Sequence, residues 1–262
     1  MFRGVNIYIF EYRYFITLNT GNMNFKKLTF CLAALLICGC LTTHGDGLVP
    51  EVRSPVLIVL HDVSKTYDYI PEPNEITLRQ LAELTARHGG QVAFGLIGSP
   101  DTVGHLIRKE FVAQPVLPDF PTYLDKIEYD SLLAVARALN ETSIEEFVSE
   151  SMTLIRQSKL HQHTDINGRF RAVRTYIEEP GMAGFQPIVY LQCDGKQDVK
   201  IRNRPVDTLL QPELLPANVR VLTCGWEHPT HPAGWMRIET PNGLISSLEF
   251  IITKPYHYER DN

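Results

Sequence analysis

The chain has 262 residues, 44% of them hydrophobic and 21% charged, with a formal net charge of −5. These are the proportions of a globular protein, and the length suffices to bury one large core or two small ones. The negative balance, with no basic stripe interleaved with aromatics, excludes a field that nucleic acid would follow, so no nucleic-acid partner is expected.

Near the start, "MNFKKLTFCLAALLICGC" (23–40) reads as a secretory signal: Lys26 and Lys27, an apolar run over 28–37, then small residues. The run is too short to span a bilayer, which takes about 20 apolar residues. Its end, Ile37-Cys38-Gly39-Cys40, resembles the bacterial lipobox. That resemblance implies lipidation of Cys40, which becomes the mature N-terminus and is held at a membrane by its acyl chains. Met23 is then the true start and 1–22 an upstream extension. The protein is expected in the bacterial cell envelope, at the outer membrane or the periplasmic face. Residues 40–55, polar and containing Gly and Pro without periodicity, read as a tether. A single domain is expected over 56–254, followed by a tail over 255–262.

Within that domain 56–60, "VLIVL", is a continuous apolar run, the mark of a strand buried on both faces. "ITLRQLAELTARHGG" (76–90) predicts a helix with Ile76, Leu78, Leu81, Leu84 and Thr85 on one face and Gly89-Gly90 as its stop. "QVAFGLIG" (91–98) is a second strand. Strand, helix and strand joined by short loops make a βαβ unit and imply a parallel sheet. "HLIRKEFVAQ" (105–114) predicts a third, more exposed strand at an edge, and Pro115, Pro118 and Pro121 mark a loop. Two helices are expected over 124–139 and 143–158, the second opened by the cap-like "TSIEE". A further helix follows "TD" at 164–165 and ends before Pro180. "QPIVYLQCDG" (186–195) and "PANVRVLTCG" (216–225) are apolar strands, "GWMRIETP" (234–241) is a sixth, and "NGLISSLEFIITK" (242–254) is a closing helix. The alternation predicts a doubly wound α/β sandwich: a mostly parallel sheet with helices on both faces.

In an open parallel sheet, ligands collect beyond the carboxyl ends of the strands. Oxygen-bearing side chains gather there from three segments: Asp62, Ser64 and Thr66 leave the first strand, Thr164 precedes a helix, and Asp194 ends the "IVYLQC" strand. Carboxylates and hydroxyls without thiolate or imidazole suit a hard cation, Mg²⁺ first, with Mn²⁺ or Ca²⁺ as alternatives. Because hydroxyls are weak ligands, such an ion keeps waters or vacancies, and a carboxylate from another molecule can fill one.

Asp62-Val63-Ser64-Lys65-Thr66, Thr164-Asp165 with Gly168, and Cys193-Asp194-Gly195 resemble the metal-ion-dependent adhesion site of the von Willebrand factor A domain, whose first motif is D-x-S-x-S. Thr66 stands for its final Ser. The resemblance covers 56–254, with a helical insertion at about 115–158. It implies that Ser64, Thr66 and Thr164 touch the metal through their hydroxyls, while Asp62 and Asp194 act through water. It also implies a protein partner offering a carboxylate, and no enzymatic activity. Asp165 is expected to cap its helix.

Other patterns compete for the same residues. "LIVLHDVSKT" is also similar to the opening of haloacid-dehalogenase phosphatases, with Asp62 as nucleophile and Asp194 and Asp198 as Mg²⁺ ligands; the second Asp of that motif is Ser64 here. His161, His163 and Asp165, joined by His228 and His231, spell a zinc set. A structural envelope protein with an inactive metal site is a third class. Cys193 and Cys224, in an oxidising compartment, are either a disulfide or two separate buried thiols.

Overall fold

The structure, a computed structural model, describes residues 53–64, 72–98, 106–158, 163–201, 204–207, 209–239 and 243–253. Cys40, Thr66 and His161 lie outside them. In chain order the elements are β1 (Pro55–Asp62), α1 (Glu75–Arg87), β2 (Gln91–Ile97), β3 (Ile107–Glu110), α2 (Tyr123–Gln157), α3 (Ile166–Ile177) and β4 (Gln186–Gln192). There follow a short pair β5 (Val199–Ile201) and β6 (Arg204–Asp207), then β7 (Arg220–Cys224), β8 (Met236–Ile238) and α4 (Leu244–Thr253).

All eight residues of β1 are buried, which its unbroken apolar run requires. Successive side chains of a strand point to opposite faces, so the run must be covered twice. Leu57 and Val59 join one core cluster with Leu78 and Leu81 of α1, Phe147 and Val148 of α2, and Leu248 and Ile251 of α4. Val56, Ile58 and Leu60 join the other with Phe170, Val173 and Tyr176 of α3. Helices therefore lie on both faces of a six-stranded sheet of order β3-β2-β1-β4-β7-β8. Every neighbouring pair is parallel except β2 and β3. This is the doubly wound, mostly parallel α/β class, of von Willebrand factor A or Rossmann-like type.

The antiparallel β3 closes one edge, and its long cationic side chains are taken up. Lys109 Nζ binds Glu146 and Glu150 of α2 at 2.8 and 2.9 Å, and Arg108 binds Glu179 at 2.7 Å. Charges of this kind discourage pairing with another chain more than they stabilise the fold. Among the described residues, no helix is long and apolar enough to cross a membrane.

Two expectations are corrected, and one open alternative, that of the cysteines, is decided for two separate buried thiols. Ile76 does not join the buried face of α1; it is 69% exposed, one residue after the helix starts, and Ala82 and Ala86 pack in its stead. The two helices expected over 124–158 are one of 35 residues. No Gly or Pro interrupts it, so "TSIEE" continues a helix already begun at the Thr122–Asp125 capping box. Cys193 and Cys224 are both buried and unbridged. Their backbones touch, Cys193 N–H donating to Cys224 O at 3.2 Å, yet Cys193 lies in the core cluster of α3 and Cys224 in that of α1, α2 and α4. With the sheet between them, the thiols point apart, which no disulfide geometry tolerates.

Asn140, 3% exposed in the middle of α2, donates to Val112 O and accepts from Val112 N–H, both at 2.8 Å. The side-chain amide thus acts as a strand partner, pinning the segment after β3 to the helix. Asn140→Ala orphans both Val112 groups and is expected to cost about 2 kcal/mol, read as a lower urea midpoint at an unchanged m-value.

Candidate metal centre

From β1 the chain moves outward to β2 and β3, then returns to β4 on the other flank of β1. The gap beyond the carboxyl ends of β1 and β4 is the topological switch point, where open α/β sheets bind ligands. Residue pairing carries the sequence-predicted residues there. His61 stands opposite Gln192 and Asp62 opposite Ile97, so the loops leaving β1, β2 and β4 begin side by side.

Asp62 is 1% exposed, and its Oδ1 accepts the Ser64 N–H at 2.8 Å, closing a tight Asx-type turn that also buries Ser64. Asp194, fully buried, accepts the Lys196 N–H through Oδ1 at 2.9 Å. In both carboxylates Oδ2 is buried and makes no hydrogen bond among the described residues, although Lys196 Nζ stands 3.5 Å from that of Asp194. Burial pushes the Asp62 carboxyl up to about 7; the Asp194 charge adds to this, against the pull of the Ser64 N–H and hydroxyl. Asp62 Oδ2 without a hydrogen bond, beside Asp194 Oδ2 with the Lys196 ammonium at 3.5 Å, is an arrangement that a bound cation would fit. Among the described residues no three carboxylate, imidazole or thiolate groups are placed to hold a metal. The remaining ligands would therefore be hydroxyl and water oxygens, the donor set of a hard ion.

The Thr164 segment is held against both neighbours. Thr164 exchanges two backbone hydrogen bonds with Asp198, at 3.0 and 2.9 Å, beyond the Asp194 loop. Asp165 N–H donates to Gly98 O at 2.8 Å, just past β2, while Val63 N–H donates to Ile97 O at 3.0 Å. Thr164 itself is buried. Asp165 caps α3 as expected, its Oδ1 accepting Gly168 N–H at 2.8 Å. Glycine is required at 168, because a Cβ there would sit 2.2 Å from Asp165 Oδ2.

Sequence reasoning gave no part in the centre to Gln197, Arg169, Trp226 or Glu227. Gln197, buried, accepts from Ile166 and Asn167 N–H at 2.7 and 3.1 Å and donates to Asp165 Oδ1 at 3.2 Å, so it shares the capping of α3. Arg169, fully buried, donates from its guanidinium to Leu96 O, tying α3 to β2; burial lowers it to about 10, with Asp165 opposing, so it stays charged at neutral pH. Trp226 packs on Gly195, whose φ of +80° and missing Cβ let the ring come close: a Cβ would lie 2.7 Å from Trp226 Cε2. Glu227 and His228 N–H both donate to Asp194 O, at 2.9 and 3.0 Å. None carries a period or motif; only the positive-φ requirement at Gly195 had a trace in the sequence, its "DG" pair.

The zinc set does not assemble among the described residues. His163 Nδ1 is 3.9 Å from Asp198 Oδ2, and His228 and His231 pack edge-on to Trp226 in the loop after β7. His228 Nδ1 accepts from Thr230 N–H at 3.2 Å, and His231 Nε2 pairs with the Thr223 hydroxyl at 2.9 Å. Trp226 and Trp235 meet edge to face at 5.5 Å as part of the sheet-edge packing.

No protein-family profile matches the chain, and no curated protein matches its sequence. Solved structures do match. Manganese-loaded TRAP protein of Plasmodium vivax is 16% identical over 77% of this chain and 74% of its own, with a TM-score of 0.42. Proximal thread matrix protein 1 of the mussel byssus, 17% identical over 76% of this chain, gives 0.36, and the chain spans 47% of its length. The pilus adhesin SpaC of Lactobacillus rhamnosus GG, in its open conformation, is 13% identical over 76% of this chain and 30% of its own, with 0.37. These are distant likenesses, and the fold class stands on the strand order itself.

Two measurements probe the centre's framework. Burial lowers His61, bonded to the Gln192 side chain, from its ordinary 6.5 to about 4. The unfolded chain therefore binds the proton first, so the contribution of His61 to stability is full above pH 6.5 and is lost between 6.5 and 4, by about 3 kcal/mol, against the opposite trend of Asp62. His61→Gln is expected to flatten acid melting in that window. Gly195→Ala forces the Asp194 loop off Trp226 and is expected to cost about 2 kcal/mol by chemical denaturation.

Proposed function

We propose that this chain is a membrane-anchored lipoprotein whose α/β domain binds a divalent cation and, through it, a protein partner. The observation that carries the proposal is the pair of buried carboxylates at the switch point, Asp62 and Asp194, each with an Oδ2 that makes no hydrogen bond among the described residues. Ser64, Thr66 and Thr164 would supply hydroxyls to the ion, with Asp62 and Asp194 acting through water. The ion, when bound, supplies concentrated positive charge and an open coordination position. The chain's own part is to exclude bulk water, hold the carboxylates apart from each other, and orient the hydroxyls. A partner carboxylate is the natural occupant of the open position.

Anchoring through lipidated Cys40, and a place in the bacterial cell envelope, complete the proposal; they rest on the lipobox-like residues alone. The domain is proposed to bind rather than to catalyse. A haloacid-dehalogenase-like phosphatase places a second carboxyl two residues after its nucleophile to protonate the leaving group. Here that position is Ser64, whose N–H is engaged with Asp62.

Melting in chelator, Mg²⁺, Mn²⁺, Ca²⁺ and Zn²⁺, on wild type and Asp62→Asn, tests this. Mg²⁺ or Mn²⁺ should raise the melting temperature, by the equivalent of about 2.7 kcal/mol at a hundredfold excess over Kd. Asp62→Asn should abolish the response. Folded Asp62 holds its proton up to about pH 7, against an ordinary 3.8, so its ionisation weakens the metal-free fold as pH rises through that interval. In chelator Asp62→Asn should therefore melt higher than wild type at pH 8 and alike at pH 4. A response to Zn²⁺ alone would refute a hard-ion site.

A further inference from the structure

Lys196 lies between two acids of opposite character. Its Nζ stands 3.5 Å from Asp194 Oδ2, an ion-pair distance too long for a strong hydrogen bond. The same ammonium is 2.9 Å from Glu227 Oε2. Asp194 is wholly buried, whereas the side chains of Lys196 and Glu227 are 54% and 50% exposed. The backbone holds this geometry: Lys196 N–H donates to Asp194 Oδ1, and Glu227 N–H donates to Asp194 O at 2.9 Å. The ammonium is thus tethered at the mouth of the centre, with one seat on the buried carboxylate and a better-formed one on the surface.

We propose that Lys196 is a built-in cation that neutralises Asp194 in the metal-free domain and shifts fully onto Glu227 when a divalent ion enters. This rests on the divalent-ion site proposed above and adds its regulation. A buried carboxylate facing a second one is costly to leave without a counter-charge. A lysine ammonium is compact and flexibly tethered, so it can supply that charge and withdraw without repacking the core. A dication arriving at Asp62 and Asp194 meets a positive charge already present, and Glu227 is the outlet that makes its departure inexpensive. Metal affinity is thereby set below what the two carboxylates alone would give, so that the centre fills and empties with the surrounding ion concentration.

The test is titration calorimetry of MnCl₂ and MgCl₂ into the full chain, for wild type, Lys196→Met, Glu227→Gln and the double variant, with melting in chelator alongside. Lys196→Met should bind Mn²⁺ about tenfold more tightly, the scale of one unit charge acting on a dication a few ångströms away through a water-like dielectric. The same variant should melt lower than wild type in chelator, since Asp194 loses its counter-charge. A lysine with only a packing role would lower the melting point without tightening the ion. Glu227→Gln should weaken binding about threefold, and this loss should shrink in the Lys196→Met background. Equal or weaker binding by Lys196→Met overturns the proposal, as does an undiminished Glu227→Gln effect in the double variant. If wild type and Lys196→Met alike bind neither ion, the divalent site itself is refuted, and the lysine's role with it.

Discussion

Asp62 and Asp194 are taken out of water at the same place, and much of the domain is arranged around that fact. Asp62 ends β1 and Asp194 lies two residues past the end of β4, both central strands with strands on either side, and helices cover both faces of the sheet. Burial lifts the Asp62 carboxyl to about 7, and Asp194 pushes it the same way. Such a pair is unfavourable in a folded protein unless something positive compensates it. Among the described residues the Lys196 ammonium, 3.5 Å from Asp194 Oδ2, is such a charge.

The loops that meet there are secured by backbone contacts more than by side-chain packing. Thr164 pairs with Asp198, Asp165 with Gly98, Val63 with Ile97, and Asp194 with Glu227 and His228. Trp226 and Gln197 then fill the space beneath and beside them. Arg169 links α3 to the end of β2 from below. A centre of oxygen ligands works only when its members are held in place by neighbours that have nowhere else to go. Here three loops widely spaced along the chain are locked to one another before any ion is considered.

Much of this was legible in the residues. The apolar run of β1, the helical period of α1 and the Gly89-Gly90 stop forecast a βαβ unit, and β2, β4 and β7 follow from apolar runs of strand length. The charged, mixed face of 107–110 marked an edge strand. Asp62, Ser64, Thr66, Thr164 and Asp194 stand out in the sequence as oxygen-bearing side chains at strand ends and in the loop before a helix, and Thr66 lies outside the described residues. Less legible was whether 123–157 is one helix or two. A cap-like "TSIEE" inside a helix is indistinguishable from one that starts a helix, since capping depends on the backbone turning, which the side chains alone do not command. Gln197, Arg169 and Trp226 were invisible for a different reason: their partners lie 31, 73 and 31 residues away in the chain.

By itself the amino-acid sequence determined what repeats locally: the alternation of strand and helix, the stops, the buried centre strand, and the oxygen-rich residues at strand ends. Hydrophobic period and turn chemistry act over a few residues and are written directly in the order of side chains. Only the tertiary structure decided which ends adjoin, and hence that the buried carboxylates of Asp62 and Asp194 act on each other while Lys196 bridges Asp194 to Glu227. It also decided that Cys193 and Cys224, backbones in contact, face opposite sides of the sheet. Register and burial are properties of strands already paired, and a shift of one residue reverses every face.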